Sequence, residues 1–519
     1  MIVKGFVKKG AYHDSVTLML VTKEVNQSSG VENSGVVMAS ENNKELLRDA
    51  GLFLKEFESL TETDLIVSVC AKDEDDATKA IQLAEAILKG VKSSALRENV
   101  GFKSLSQAVS ALPGANLAVI SVAGRYAAFE AFKALENNLH VMLFSDNVSV
   151  EDEIRLKTMA LEKGLLVMGP DCGTAIINGI PLAFANVVQR GSIGIVAASG
   201  TGLQEVSSII SNLGGGISQA IGTGGRDIKK EVGGLMFLEA IQALEQDPDT
   251  SIIVLISKPP SSDILEKIAH TVQNSTKPIV AILIGGKPQV IEDSGAYAAT
   301  NLEEAAHIAL ALHSGENVAQ RLSKLQERNL ALIEKAKELA LGAKGWYIRG
   351  LYSGGTLCDE AQLIAKDLLG SVYSNTPLNP KFLLKNANQS FEHTIVDLGD
   401  DEFTKGKPHP MIDFSLRNQR ILSEASDKEV AVLLFDVVLG YGSHPDPIGQ
   451  LQPAITEARK QNPHLLMICS VCGTNGDPQN KQEVVRRLTE LGVEVQPSNA
   501  AASFLAFHVV LNLNSTLNR

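Results

Sequence analysis

A short apolar run that ends in a small-residue turn and reopens as a helix constrains this chain more than any other feature. The pattern reads SIGIVAASGTG at residues 192–202 and continues as the helical pattern LQEVSSIISNLG. A buried strand that passes through Ser199, Gly200, Thr201 and Gly202 into a helix leaves backbone N–H groups free at the helix start. Such a terminus attracts phosphate or carboxylate. The pattern recurs in QAIGTGGRDI (219–228), which contains Gly224 and Gly225, and in IIVLISKPP (252–260), which contains Lys258. Three such turns in succession suggest one anion-binding crevice at the carboxyl edge of a parallel sheet. The residues alone are equally consistent with three ordinary βα loops.

The chain has 519 residues, too many for one core, and roughly three to four domains are expected. Residues 1–98 alternate strand-like and helix-like segments and form a small N-terminal α/β unit. The polar stretch 93–104 marks a boundary. NLAVISVAG (116–124), HVMLFSDN (140–147) and LLVMGPDCGTAI (165–176) are buried parallel strands by their apolar runs, with helical patterns between them. Ser149, with Asp152 three residues on, gives the second of these helices a start like a capping box. This βαβαβ order implies a doubly wound sheet whose loops, at Ser121–Gly124, Ser145–Asn147 and Gly169–Cys172, line one edge. Residues 317–344 read as a long charged amphipathic connector helix. A third set of strands follows from Trp346 to Ser498.

The formal charge of −13, with no basic patch, argues against a nucleic-acid partner. No apolar run reaches membrane length, and MIVKGFVKKGAYHDS lacks the apolar core of a signal peptide, so a cytoplasmic, non-membrane protein is expected. Five scattered cysteines make a disulfide framework unlike this chain. Cys469 and Cys472 form one CxxC pair behind the apolar run LLMI. They read as the end of a buried strand, and no metal site is assigned.

VMGPDCGTAI (167–176), GSIGIVAASGTGLQE (191–205), GTGGRDI (222–228) and IIVLISKPP, in that order, resemble the α subunit of succinyl-CoA synthetase. The strings VMLFSDNVSVEDE (141–153), PLAFANV (181–187), YIRGLYSGGTLCDE (347–360), DLGDDEFTKGKPHPMID (397–413) and VVLGYGSHPDP (437–447) resemble more closely the FdrA family of acyl-CoA-synthetase-like proteins. The C-terminal part is similar to the CoA-ligase domain of the synthetase β subunit. The resemblance implies an α/β architecture. A Rossmann-like CoA-binding-type domain (99–188) would be followed by two flavodoxin-like doubly wound parallel-sheet domains (189–316 and 345–519), joined by the connector.

The resemblance also implies a site. Ser199, Gly200, Thr201, Gly202, Gly224 and Gly225 would cradle phosphate, faced by a second helix start at Gly440, Tyr441, Gly442, Ser443 and His444. Ser121, Gly124, Asn147, Asp171 and Cys172 would form the edge corresponding to the coenzyme A site. Coenzyme A is the candidate cofactor, although of the synthetase's glycine-rich first turn only Gly10, near His13, is plainly kept. The phosphorylated histidine of the synthetase has no counterpart: the matching stretch is Glu292-Asp293-Ser294-Gly295-Ala296. The glutamate that holds that histidine is matched by Lys258, which cannot accept the ring proton. No ATP-grasp domain is present in the sequence. Phosphate is therefore expected as a substrate rather than as a group on the protein, with Lys258 a fixed positive charge beside it.

His409, between prolines and near Lys405 and Lys407, is either a satisfied histidine on a stiff loop or a general acid or oxyanion donor. His444 stands the same way. Three functions remain open. One is a subunit of an oxamate carbamoyltransferase, in which oxalurate and phosphate give oxamate and carbamoyl phosphate, an activity associated with some FdrA relatives in allantoin breakdown. Another is an acyl-CoA ligase component that uses a partner for nucleotide. The third is a non-catalytic scaffold. Small anionic substrates and either partner subunits or a homo-oligomer are expected.

Overall fold

The computed structural model describes residues 1–519 apart from 12, 14, 96–101, 103, 287, 405–407 and 518–519. The chain divides into two compact units. The first takes in residues 1–115, with 121–123 and 404–408. Its three-stranded antiparallel sheet runs in the order Ile2–Lys8, Leu65–Ala71, Val31–Met38. The central strand LIVSVCA is almost wholly buried, and its side chains alternate between two cores. Leu65, Val67 and Val69 meet Leu18, Val21, Val25 and Ala80 from the helices Ser15–Asn26 and Glu74–Ala95. Ile66 faces Leu47, Leu52 and Phe57.

The second unit holds the other three sheets. The parallel strands Leu117–Ile120, His140–Leu143 and Val167–Met168 alternate with the helices Gly124–Glu136 and Val150–Lys163. Ser149 caps the second helix by accepting the Asp152 N–H at 3.0 Å, as its sequence suggests. The next sheet has seven strands, in the order Tyr297–Ala298, Ile279–Leu283, Ile252–Ser257, Arg190–Ala197, Ile217–Gly222, Thr174–Ile177, Ile180–Ala183. Its first five are parallel, and counted along the chain they stand 2-1-3-4-5, the flavodoxin-like order. The hairpin 174–183, read from sequence with the stretch before residue 188, instead pairs antiparallel onto this sheet.

The last sheet is wholly parallel, in the order Thr394–Asp397, Tyr347–Tyr352, Val430–Val438, Leu466–Cys472, Glu494–Gln496. Counted along the chain this is again 2-1-3-4-5. In each of these two sheets the chain reverses direction of assembly beside its first strand, which is where ligands of such folds bind. The helices that leave those first strands, Gly200–Asn212 and Gly355–Leu369, pack on each other in a continuous apolar core with Leu302–Ser314 and Asn499–Leu517. The connector forms the helix Val318–Ala340, capped by Asn317, and buries Leu325, Leu332 and Ala336 on its inner stripe.

Candidate functional site

Ser199 starts the helix Gly200–Asn212 in extended geometry, and its hydroxyl accepts the Gly202 N–H at 3.1 Å. The same hydroxyl lies 2.6 Å from Thr356 Oγ1, on the first turn of Gly355–Leu369. The two helix starts therefore meet head to head. They fit through a reciprocal pair of glycines. A Cβ on Gly202 would lie 3.2 Å from Thr356 Cγ2, and a Cβ on Gly354 would lie 2.9 Å from Thr201 Cγ2. Each threonine fills the space that the opposite glycine leaves open.

The partner of the Ser199 turn is thus Ser353-Gly354-Gly355-Thr356, not the Gly440–His444 segment expected from sequence. That segment packs against Phe184 and Ala185, and three of its backbone N–H groups are engaged. The Gly440 N–H donates to Gln479 Oε1 at 3.0 Å, the Tyr441 N–H to the Ala185 carbonyl at 2.9 Å, and the His444 N–H to the Met411 carbonyl at 2.8 Å. A Cβ on Gly442 would lie 2.8 Å from the Phe184 ring. His444 Nδ1 accepts the Asp446 N–H at 3.0 Å. The helix that follows, Pro447–Gln461, is already capped by the Asp446 carboxylate. Ser443 Oγ is buried with no hydrogen-bond partner among the described residues.

Charged groups gather at the second helix start. Asp436 and Arg417 form a buried pair at 2.7 Å, and Asp436 also accepts the N–H groups of Ser353 at 2.8 Å and Gly354 at 2.9 Å. Lys258 pairs with Asp359 at 2.6 Å. Burial opposes the Lys258 charge, but Asp359 and Asp397 outweigh it and hold its pKa above the ordinary value. Asp397 ends its strand and accepts the Gly399 N–H at 2.9 Å. Burial, with Asp359 and Asp400 nearby, lifts its carboxyl to about 7 against the pull of Gly399 and Lys258. A Cβ on Gly399 would stand 2.8 Å from His409 Nε2, 2.8 Å from the Ser353 carbonyl and 3.2 Å from Asp397 Oδ1. His409 leans on Phe184, accepts the Met411 N–H at 3.3 Å, and is pushed down to about 4 by burial, so it is neutral at pH 7. Lys405 and Lys407 lie outside the described residues.

The remaining predicted residues fall elsewhere. Gly225 lies near the Ala198 carbonyl, while a Cβ on Gly224 would strike the Pro170 carbonyl at 2.4 Å. In the same loop Asp227 takes the N–H groups of Met236 and Phe237 and pairs with the buried Lys157 at 2.7 Å. This turn anchors a helix with its own carboxylate. On the expected coenzyme A edge, a Cβ on Gly124 would lie 2.2 Å from the Asp146 carbonyl and 2.6 Å from that of Asn147. Asp171 is raised to about 6 by burial and by Asp146 and Asp401. The Cys172 thiol is pushed up to about 12 by burial and is inert. Ser121 belongs to the first compact unit. There Gly10 adopts a positive φ of 61° and donates its N–H to Asp64 at 3.0 Å, and His13 is buried.

Sequence reasoning missed Gly354, Gly355, Thr356, Asp359 and Asp436. The available signal was duplication: Ser353-Gly354-Gly355-Thr356 follows its strand as Ser199-Gly200-Thr201-Gly202 follows its own. Ser294, in the stretch that matches the synthetase's histidine loop, is buried and donates to the Ile291 carbonyl at 2.6 Å. Among the described residues no group of three or more His, Cys, Asp or Glu is placed to hold a metal ion. No helix among them is long and apolar enough to cross a membrane.

Two flavodoxin-like sheets joined through facing helix starts suit an acyl-CoA-synthetase-like protein, and comparison with known proteins agrees. The CoA-ligase family model matches residues 351–509 and the CoA binding domain model residues 188–285. The latter falls on the seven-stranded sheet, beginning where the sequence reading ended its CoA-binding-type domain. The model for the AllF heavy metal-associated domain matches residues 1–101. YahF of Escherichia coli K12 is 44% identical over 510 residues, 98% of each chain. The α subunit of the ADP-forming succinate–CoA ligase of Methanothermobacter thermautotrophicus is 28% identical over 33% of this chain and 57% of its own. A dinucleotide-forming acetyl-coenzyme A synthetase of Ca. Korarchaeum cryptofilum is 16% identical over 79% of this chain and 86% of its own, at a TM-score of 0.35. The chain belongs to the FdrA-like family of acyl-CoA-synthetase-like proteins, related to succinyl-CoA synthetase.

Proposed function

We propose that this chain is a subunit of a phosphate-dependent acyl or carbamoyl transferase of the oxamate carbamoyltransferase type. The observation that carries the reading is the 2.6 Å contact between Ser199 and Thr356, which joins two helix starts around one point. Two such termini favour a multiply charged oxyanion. Lys258 adds a cation where the synthetase has a glutamate, and Ser294 and its neighbours replace the phosphorylated histidine. The bound phosphate is then a free reactant. Its oxygen forms a bond to the carbamoyl carbon of oxalurate, and the bond from that carbon to the amide nitrogen breaks. Hydrogen phosphate gives up one proton and the departing oxamate nitrogen takes one, so the reaction needs no nucleotide and no net proton. The chain's own contribution is positioning and preorganised N–H donors.

The CoA-ligase match over residues 351–509 favours a second reading, an acyl-CoA ligase component whose nucleotide is handled by a partner chain. Coenzyme A is its candidate cofactor. One assay separates the two. The chain, alone and with candidate partner subunits, is offered oxalurate and phosphate, and separately an acid, ATP and coenzyme A. Carbamoyl phosphate that disappears in Ser199→Ala and Lys258→Ala supports the transferase. Thioester formed at an unchanged rate by Lys258→Ala excludes it.

A further inference from the structure

The three-stranded N-terminal sheet has two edges, and only one of them is blunted. On the strand Val31–Met38, Val36 turns its N–H outward and donates it to Thr22 Oγ1 at 3.0 Å, and Ser34 Oγ donates to the Thr22 carbonyl at 3.4 Å. Thr22 belongs to the helix Ser15–Asn26, which thus occupies this edge. The Val36 bond also fixes the direction of the other amides, because successive residues of an antiparallel strand point their N–H and C=O to opposite sides. Gly35 and Val37 bond the central strand at Ser68 and Ile66. Leu65, Val67, Val69 and Ala71 therefore point the other way, to Lys8, Phe6, Lys4 and Ile2. Val3, Gly5 and Val7 are left facing outward. Their N–H and C=O groups have no hydrogen-bond partner among the described residues. Both cores of the unit also end at this edge: Phe6 is half-buried against one, and Val3 and Val7 against the other. An open edge of seven residues is a template for a further strand.

We propose that this further strand is Ile2–Lys8 of a second copy, paired antiparallel about a two-fold axis at Gly5 into one sheet that runs through both copies. The strand complements itself in that register. Val3 meets Val7, Gly5 meets Gly5 and Val7 meets Val3, so every outward N–H and C=O finds a partner. On the opposite face Lys4 lies across from Phe6 and Lys8 across from Ile2, and no two lysines meet. Centring the pair on Lys4 would set Lys4 against Lys4. Centring it on Phe6 would set Lys4 against Lys8. Like charges directly opposite disfavour both of those registers. Lys4 is also bonded to Glu74 at 3.1 Å and to Thr78 at 3.0 Å on the helix Glu74–Ala95, so its charge is offset before the copies meet.

The test is sedimentation of the full chain over a range of concentrations, with amide hydrogen exchange read on its first residues. A dimer that dissociates on dilution is expected, with the Val3, Gly5 and Val7 amides protected in the dimer and exchanging freely in the single chain. Val7→Pro removes an outward N–H and no bond to the central strand. That variant should stay folded by circular dichroism while the dimer weakens roughly tenfold or more. A single-chain mass at every concentration overturns the proposal, and so does a dimer that Val7→Pro leaves unchanged. Protection of the three amides in a particle of single-chain mass overturns it as well, because the edge is then paired within one chain. Where Val7→Pro does not fold, protection in the unaltered chain that ignores dilution overturns it.

Discussion

The two helix starts that meet at the site share a local grammar and differ in what satisfies them. Each follows the first strand of a 2-1-3-4-5 sheet through Ser, Gly and Thr. At Ser199 the cap is a neutral hydroxyl that also touches the opposite helix. At Ser353 and Gly354 the backbone is held by the buried Asp436, with Arg417 behind it, and Asp397 lies over Gly355. A neutral cap leaves the first terminus its positive end. The second has part of its own field spent on carboxylates before any ligand arrives. The difference leaves the Ser199 start the more positive of the two.

The largest expected effect comes from removing the charge that holds the second start. Asp436→Ala strands Arg417 and frees the Ser353 and Gly354 N–H groups in a dry interior. A loss of about 3–5 kcal/mol is expected, read by chemical denaturation. Ser199→Ala, which removes a neutral cap and its hydroxyl contact with Thr356, should cost only about 1–2 kcal/mol. Equal losses would erase the contrast drawn between the two starts. A finer measurement is the double-mutant cycle of Ser199→Ala with Thr356→Ala. The 2.6 Å contact predicts a coupling of about 0.5–1.5 kcal/mol. Strict additivity would mean that the helix starts are neighbours without being partners.

The parallel strands were legible because runs such as IGIVA and IIVLI are apolar on both faces, as strands covered by helices on two sides must be. Their order was not, since periodicity records burial and not neighbours. The Ser199 turn was legible because a Ser cap and small residues carry the anion-site chemistry locally. Its partner was misplaced at Gly440–His444, where glycines serve close packing on Ala185 and Phe184. Asp397 stood out only as one of three aspartates, with Asp400 and Asp401, ahead of the His409 segment. Its burial comes from Asn375, Gly355 and Gly399, brought together from three parts of the chain, and nothing in the string DLGDD distinguishes the first aspartate from the half-buried Asp400 and the exposed Asp401. Cys469 and Cys472 lie in the strand Leu466–Cys472, fully buried, and burial lifts both thiols well above their ordinary value.

The smallest effect tests whether the second helix start also sets the pH dependence of stability. Burial raises Asp397 to about 7, and it raises Glu360, on the second helix, to about 8. Glu205 on the first helix is raised by burial as well. For such groups the folded state holds protons that the unfolded chain has lost. Their contribution is present in full below about pH 4 and disappears as pH rises through the folded values. His393 and His409, both lowered to about 4 by burial, act oppositely: their contribution is present above about 6.5 and is lost as pH falls toward 4. The two trends offset each other below 6.5, and only the carboxyl trend continues above it. The thermal midpoint should therefore fall between pH 6.5 and 8.5. Glu360 accepts the Leu302 N–H and Asn499 Nδ2, each at 2.7 Å, so Glu360→Gln keeps an acceptor while removing the titration. That variant should lose the part of the slope that extends up to about pH 8, and Asp397→Asn the part that ends near pH 7. A slope that survives both substitutions but vanishes in Glu205→Gln would move the titrating charge to the first helix and reverse the division between the two starts.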